Sequence, residues 1–124
     1  MIRRVAIALI AVNAATKPVE GSTYTCSDHK KIEVSEKSGT PQHVMLPNDR
    51  FDISFSESFM YTSGIGMRRF SCSDSSRMGD VFVECIYGNS IFFLDRATLQ
   101  FARSELDPSE TGRSFLAIGA CRIH

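Results

Sequence analysis

Apolar and polar residues alternate along most of the chain in short runs, and turn-forming residues separate the runs. A period of two is what a strand with one buried face requires, because successive side chains point to opposite faces. Phe51 to Phe55 is the cleanest case, with Phe51, Ile53 and Phe55 on one face and Asp52 and Ser54 on the other. Lys31 to Ser35 places Ile32 and Val34 together. Thr23 to Cys26, His43 to Leu46 (between Pro41 and Pro47), Ser58 to Thr62 and Met67 to Cys72 read as further strands. The last two flank a turn at Ser63-Gly64-Ile65-Gly66. Phe115 to Arg122 forms a closing strand, with Cys121 on the parity of Phe115.

The strongest local signal is a hairpin. Val81 to Tyr87 and Ser90 to Leu94 flank Gly88-Asn89, a two-residue loop suited to a type II′ or I′ turn. That turn sets Ile86 opposite Ile91 and Cys85 opposite Phe92. Both strands are apolar on both faces, which predicts a central hairpin covered on each side. Asp95 to Leu106 reads two ways. Asp95 caps a helix carrying Ala97, Leu99, Ala102 and Leu106, or Asp95-Arg96-Ala97 is a turn before a strand at Thr98 to Ala102. The surrounding short strands favour the second. The fold class predicted is all-β: a small antiparallel barrel or sandwich of about seven to eight strands, with a short helix near 96–106 as the alternative.

The N-terminus breaks the alternation. Arg3 and Arg4 precede an unbroken apolar run from Val5 to Val12, followed by Asn13-Ala14-Ala15. This is the charged, apolar and small-residue order of a secretory signal peptide, cleaved after Ala14 or Ala15. The run is too short for the roughly 20 residues that span a bilayer. The division expected is a signal peptide at 1–15 and a single β domain at 16–124, periplasmic or secreted and free of the membrane after cleavage. The formal net charge of +0 over 124 residues, with 14 basic against 14 acidic, then becomes −2 on loss of the two leader arginines. No basic block remains to attract nucleic acid.

Four cysteines, Cys26, Cys72, Cys85 and Cys121, change meaning in an exported chain, where paired thiols are normally oxidised. Three connectivities exist. The favoured one is Cys26–Cys121, joining the two ends of the domain, with Cys72–Cys85, which suits two strands joined by a short excursion. Neither C-x-x-C nor H-x-x-x-H occurs, and His29, His43 and His124 are scattered, so no metal, cofactor or redox pair is expected.

Candidate chemistry is sparse. G-x-S-x-G is missing. Asp28 and His29 are neighbours, but adjacent strand residues face opposite ways, and Asp28-His29-Lys30-Lys31 reads as a solvated turn. Gly64-x-Gly66 lacks the third glycine of a phosphate loop, since Arg69 stands there. Asp74 to Asp80 is a polar turn without EF-hand spacing. Arg68-Arg69 beside Phe70, with Arg77 nearby, is the densest basic spot. It suits either a solvated strand edge or an interface anchor. Five Met and nine Phe read as adaptable core.

Tyr24-Thr25-Cys26 followed by Ile32-Glu33-Val34, the Ser63-to-Phe70 segment and a late Cys121 together resemble the periplasmic inhibitors of C-type lysozymes, a family of small bacterial β-barrels. The resemblance implies that Cys121 bonds Cys26 and that Ser63, on a loop, enters the lysozyme cleft. The family's Lys in Trp-x-Lys-Gly-Asp corresponds to Met78 before Gly79-Asp80, the chain has no Trp, and its part from Tyr87 onward is longer. The function expected from the residues is a non-enzymatic binding domain acting on an unidentified protein or small molecule through Ser63, Gly64, Arg68 and Arg69. Inhibition of a cell-wall hydrolase through the Ser63–Phe70 loop is the alternative.

Overall fold

A computed structural model describes residues 23–37, 39–74, 82–109 and 112–124. The alternating runs become nine strands: β1 (Thr23–Lys37), β2 (Thr40–Met45), β3 (Arg50–Ser56), β4 (Phe59–Ser63), β5 (Arg69–Asp74), β6 (Phe82–Tyr87), β7 (Ser90–Asp95), β8 (Gln100–Glu105) and β9 (Arg113–Ile123). Each pairs antiparallel with its neighbour in the order β2-β1-β3-β4-β5-β6-β7-β8-β9, and β1 also pairs with β9. That last pairing closes β1 and β3–β9 into an eight-stranded barrel, so the sandwich alternative falls away. Closure leaves the barrel strands without a free edge. β2 is the extra strand. It lies on the same side of β1 as β3 but further along, opposite Ile32 to Lys37, whereas β3 lies opposite Thr23 to Ser27.

The period-two pattern sorts residues in and out of the barrel. Phe51, Ile53 and Phe55 are buried, as are Met60, Phe70, Val83, Cys85, Phe92, Leu94 and Phe101. Phe92 and Phe101 stack at 5.3 Å, and Phe51 meets both rings edge-on at 6.3 and 5.5 Å. Gly119 makes room for this cluster. A Cβ there would lie 2.1 Å from the Ser27 carbonyl oxygen and 2.7 Å from Phe101 Cζ, so β9 carries only hydrogen at the point where Phe101 crosses it.

The hairpin forms with the expected register, Ile86 opposite Ile91 and Cys85 opposite Phe92. Gly88 has φ +56°, while Asn89 stays out of the left-handed region, which selects type II′. The hairpin is not covered on both sides, because a barrel wall has one interior. Phe92 and Leu94 are buried, whereas Ile86 and Tyr87 are exposed on the outer face. Asp95 to Leu106 holds no helix. Asp95 Oδ1 accepts from the Ala97 and Thr98 amides at 2.8 and 3.1 Å, forming the turn that leads into β8.

Both bridges are present, Cys26–Cys121 and Cys72–Cys85. Each joins residues directly opposite on adjacent strands, β1 with β9 and β5 with β6. No cysteine is free, a state suited to an oxidising, extracytoplasmic compartment. The leader at 1–15, the Met78-Gly79-Asp80 match, Arg77 and most of the Asp74 to Asp80 turn lie outside the described residues.

Candidate functional site

Asp28 does not sit in a solvated turn. β1 runs continuously through it, with a register irregularity between Asp28 and Lys30, and Asp28 is 4% exposed. The irregularity resets the alternation, so that Asp28 and Lys31 both face inward while His29 is exposed. β8 does the same by plain alternation. Phe101, Arg103 and Glu105 share a parity, opposite Gly119, Ala117 and Phe115 of β9. Asp28, Lys31, Arg103 and Glu105 therefore gather charge at one end of the barrel, while Tyr24, Phe55, Met60 and Leu94 lie toward the other, where Arg96 is also buried.

At that charged mouth Arg103 is clamped on both faces and along its edge. Its Nε donates to Asp28 Oδ1 at 3.0 Å and its Nη2 to Asp28 Oδ2 at 2.7 Å. Nη2 also reaches Asp49 Oδ2 at 2.9 Å. The guanidinium lies 5.0 Å from the centroids of both Phe51 and Phe115. Asp28 Oδ2 further accepts the Asp49 amide at 2.9 Å, which fixes the segment between β2 and β3. Lys31 donates to the same Asp49 oxygen at 2.8 Å and lies over Phe115. A buried carboxylate is tolerated only when paired and hydrogen-bonded in this way.

Lys31 first, and then Arg103, hold the Asp49 carboxyl below its ordinary value of 3.8, against the opposing effect of burial. A folded-state value lowered in this way adds stability that is fully present above the ordinary value. The contribution fades as pH falls through the folded value. Lys31→Met is therefore expected to destabilise the chain at pH 7 and to shrink its further loss below about pH 4. Urea midpoints at pH 7, 4 and 3 read this directly, and parallel profiles for the two proteins would contradict it.

The opposite wall comes from the segment between β4 and β5. Thr62 Oγ1 donates to the Gly66 carbonyl at 2.8 Å, and the Thr62 amide reaches the Arg68 carbonyl at 3.0 Å. Gly64 has φ +94°, and a Cβ there would come within 3.2 Å of the Arg50 oxygen and Phe51 Cα. Glycine thus lets the loop lie against β3. Arg68 Nη1 reaches Ser90 Oγ at 3.3 Å and Glu105 Oε2 at 3.6 Å, and its guanidinium covers Tyr87. Between the walls is a cavity of about 280 Å³ floored by Phe51, Phe70 and Phe92.

Of the four residues singled out from the sequence, Gly64 and Arg68 line this cavity. Ser63 is exposed at the end of β4. Arg69 points outward, 4.7 Å from the Phe59 ring. Sequence reasoning missed Asp28, Lys31, Asp49, Arg103 and Glu105. Among the described residues no group of three His, Cys, Asp or Glu is placed to hold a metal ion. Comparison with protein-family models, curated proteins and solved structures returns no match, so the chemistry of the mouth is read from its own geometry.

Proposed function

We propose that the chain is an exported, non-enzymatic binding domain, periplasmic or secreted, whose working surface is the barrel mouth. The observation that carries this reading is the mouth itself: a concave, aromatic-floored cavity ringed by charged side chains on a covalently stapled scaffold. Apolar pockets with a few convergent polar groups are where small molecules and partner side chains bind. Binding suits the site better than catalysis. Its lining includes neither His nor Cys, and Asp49 is held by Lys31 and Arg103. Among the described residues no lining hydroxyl is hydrogen-bonded to a carboxylate, the pairing that activates a serine or threonine nucleophile.

The test is a fragment screen on the isotope-labelled chain by NMR. Amide shifts should cluster at Ile65, Arg68, Ser90 and Arg103. A cluster at the packed end, around Tyr24, Phe55 and Met60, would refute the assignment. The second reading, inhibition of a cell-wall hydrolase, draws support from the exposed crest of the Ser63–Phe70 loop, where Met67 is 91% exposed. In that reading Ser63 and Arg68 enter the enzyme cleft. Titration against lysozyme activity decides it, and no inhibition at micromolar concentration would sink it.

A further inference from the structure

We infer that the mouth cavity takes a small carboxylate with an aromatic or short apolar body, a ligand class that deepens the binding reading above and rests on it. Three features point there. The first is the floor. Phe51, Phe70 and Phe92 offer ring faces and edges to an apolar body, and Ile65 adds a side wall. At about 280 Å³ the space lies at the small end of ligand pockets, which run from about 300 to 1,000 Å³. One ring or a short chain fits, while a long acyl tail does not.

The second feature is unused donors on two sides of the mouth. A guanidinium carries five N–H groups. Arg103 is 8% exposed and lines the cavity, and its bonds to Asp28 and Asp49 use only Nε and Nη2. Its Nη1 makes no hydrogen bond among the described residues. Arg68, in the loop that leads into β5, three strands from β8 in the sheet order, uses only Nη1, toward Ser90 and Glu105. Arg68 thus keeps its Nε and Nη2 edge, a fork that a planar carboxylate matches in two parallel hydrogen bonds, while Arg103 can add single hydrogen bonds from Nη1.

The third feature is the state of the acids. Asp28 is fully buried, and Arg103 and the Asp49 amide engage its two oxygens. Asp49 is held by two cations, and Glu105 faces Arg68. A cationic ligand would have to break one of these pairs, whereas an anion meets two lining guanidinium groups that these pairs hold in place. The lining cations are Lys31, Arg68 and Arg103, and the lining anions are Asp49 and Glu105. The balance at the surface of the cavity is one positive charge, with Asp28 behind the wall as its counter-charge.

The experiment titrates three probes that share a benzyl body, phenylacetate, benzyl alcohol and benzylamine, into the labelled full chain. Phenylacetate is expected to bind with a Kd of about 1 mM or tighter and to shift the Ile65, Arg68 and Arg103 amides. It should bind at least about tenfold more tightly than benzylamine. Arg68→Met removes the guanidinium but keeps an unbranched side chain, and should weaken phenylacetate about tenfold while leaving the melting temperature within a few degrees. Glu105→Gln frees Arg68 and should tighten phenylacetate binding. Benzylamine or benzyl alcohol binding at the mouth as well as phenylacetate would overturn the carboxylate assignment and leave the binding site standing. No mouth shifts with any of the three would overturn both.

Discussion

Replacing Cys26 and Cys121 by alanine is expected to lower stability by about 4–5 kcal/mol, against about 3 kcal/mol for the Cys72–Cys85 pair. The two bridges have the same local geometry, since each joins directly opposed residues with Cα atoms 4.0 Å apart. They differ in the loop they close, with sequence separations of 95 and 13. In the chain-entropy account the longer loop restrains the unfolded chain more, and the cost of closure grows with the logarithm of loop length. The longer bridge also sits at the seam, where β1 meets β9 and the barrel closes. A domain of this size has only about 5–15 kcal/mol to lose. The first variant should therefore melt roughly 20–30 °C lower and the second clearly less. Thermal melts of the two double variants decide the matter, and equal or inverted losses would show that the seam pairing holds without its staple.

The second large effect is expected at Arg103. Arg103→Met leaves Asp28 in the wall, fully buried at its side chain, without the guanidinium that meets both of its oxygens. Stranding a buried charge costs about 3–5 kcal/mol. Removing both partners costs much less, because two apolar side chains ask for no desolvation. The double variant Asp28→Val/Arg103→Met should accordingly be more stable than Arg103→Met alone. A urea-unfolding double-mutant cycle measures this. A loss below about 1 kcal/mol for Arg103→Met would mean that Lys31 and Asp49 hold the mouth without it.

Local alternation in the sequence places most of the strands and one register, although it breaks the continuous β1 at Asp28 and starts β8 at Thr98, inside the turn that precedes Gln100. The Gly88-Asn89 turn forces Ile86 against Ile91, and Phe51, Ile53 and Phe55 can be buried together only on a strand. The charged mouth was harder to see, for a physical reason. Asp28 to Lys31 is a run of charged and polar residues, and such a run reads as solvated unless a distant partner takes it inward. That partner lies 75 residues away. A clue did exist. Arg103 has the parity of Phe101, so a strand burying Phe101 must also aim Arg103 into the barrel, where it needs an acid. Asp28 likewise shares the parity of Cys26. The Cys26–Cys121 pairing, taken together with the alternation, would have marked both. The irregularity after Asp28 has no comparable signal. It turns Lys31 inward against strict alternation from Cys26, and it leaves Val34, half of the apolar pair that the alternation displays, exposed.

The exposure of Ser63 and Arg69 follows from the same alternation. Thr62 and Phe70 are buried, so their neighbours Ser63 and Arg69 point outward, and only Gly64 and Arg68 in the loop between them remain at the cavity. Proximity in sequence to a turn therefore overstated the site by two residues and missed the far wall.

The seam between β1 and β9 also fixes how the domain can be held. Tyr24 pairs with Ile123, and the His124 amide donates to the Thr23 carbonyl at 3.1 Å. The chain thus enters and leaves the described barrel side by side, at the end away from Lys31 and Phe115. A tag, tether or support joined next to Thr23 or His124 therefore lies at the end of the barrel opposite the mouth. Immobilised through the residues next to His124, the domain consequently turns its mouth to the solution rather than to the surface that carries it.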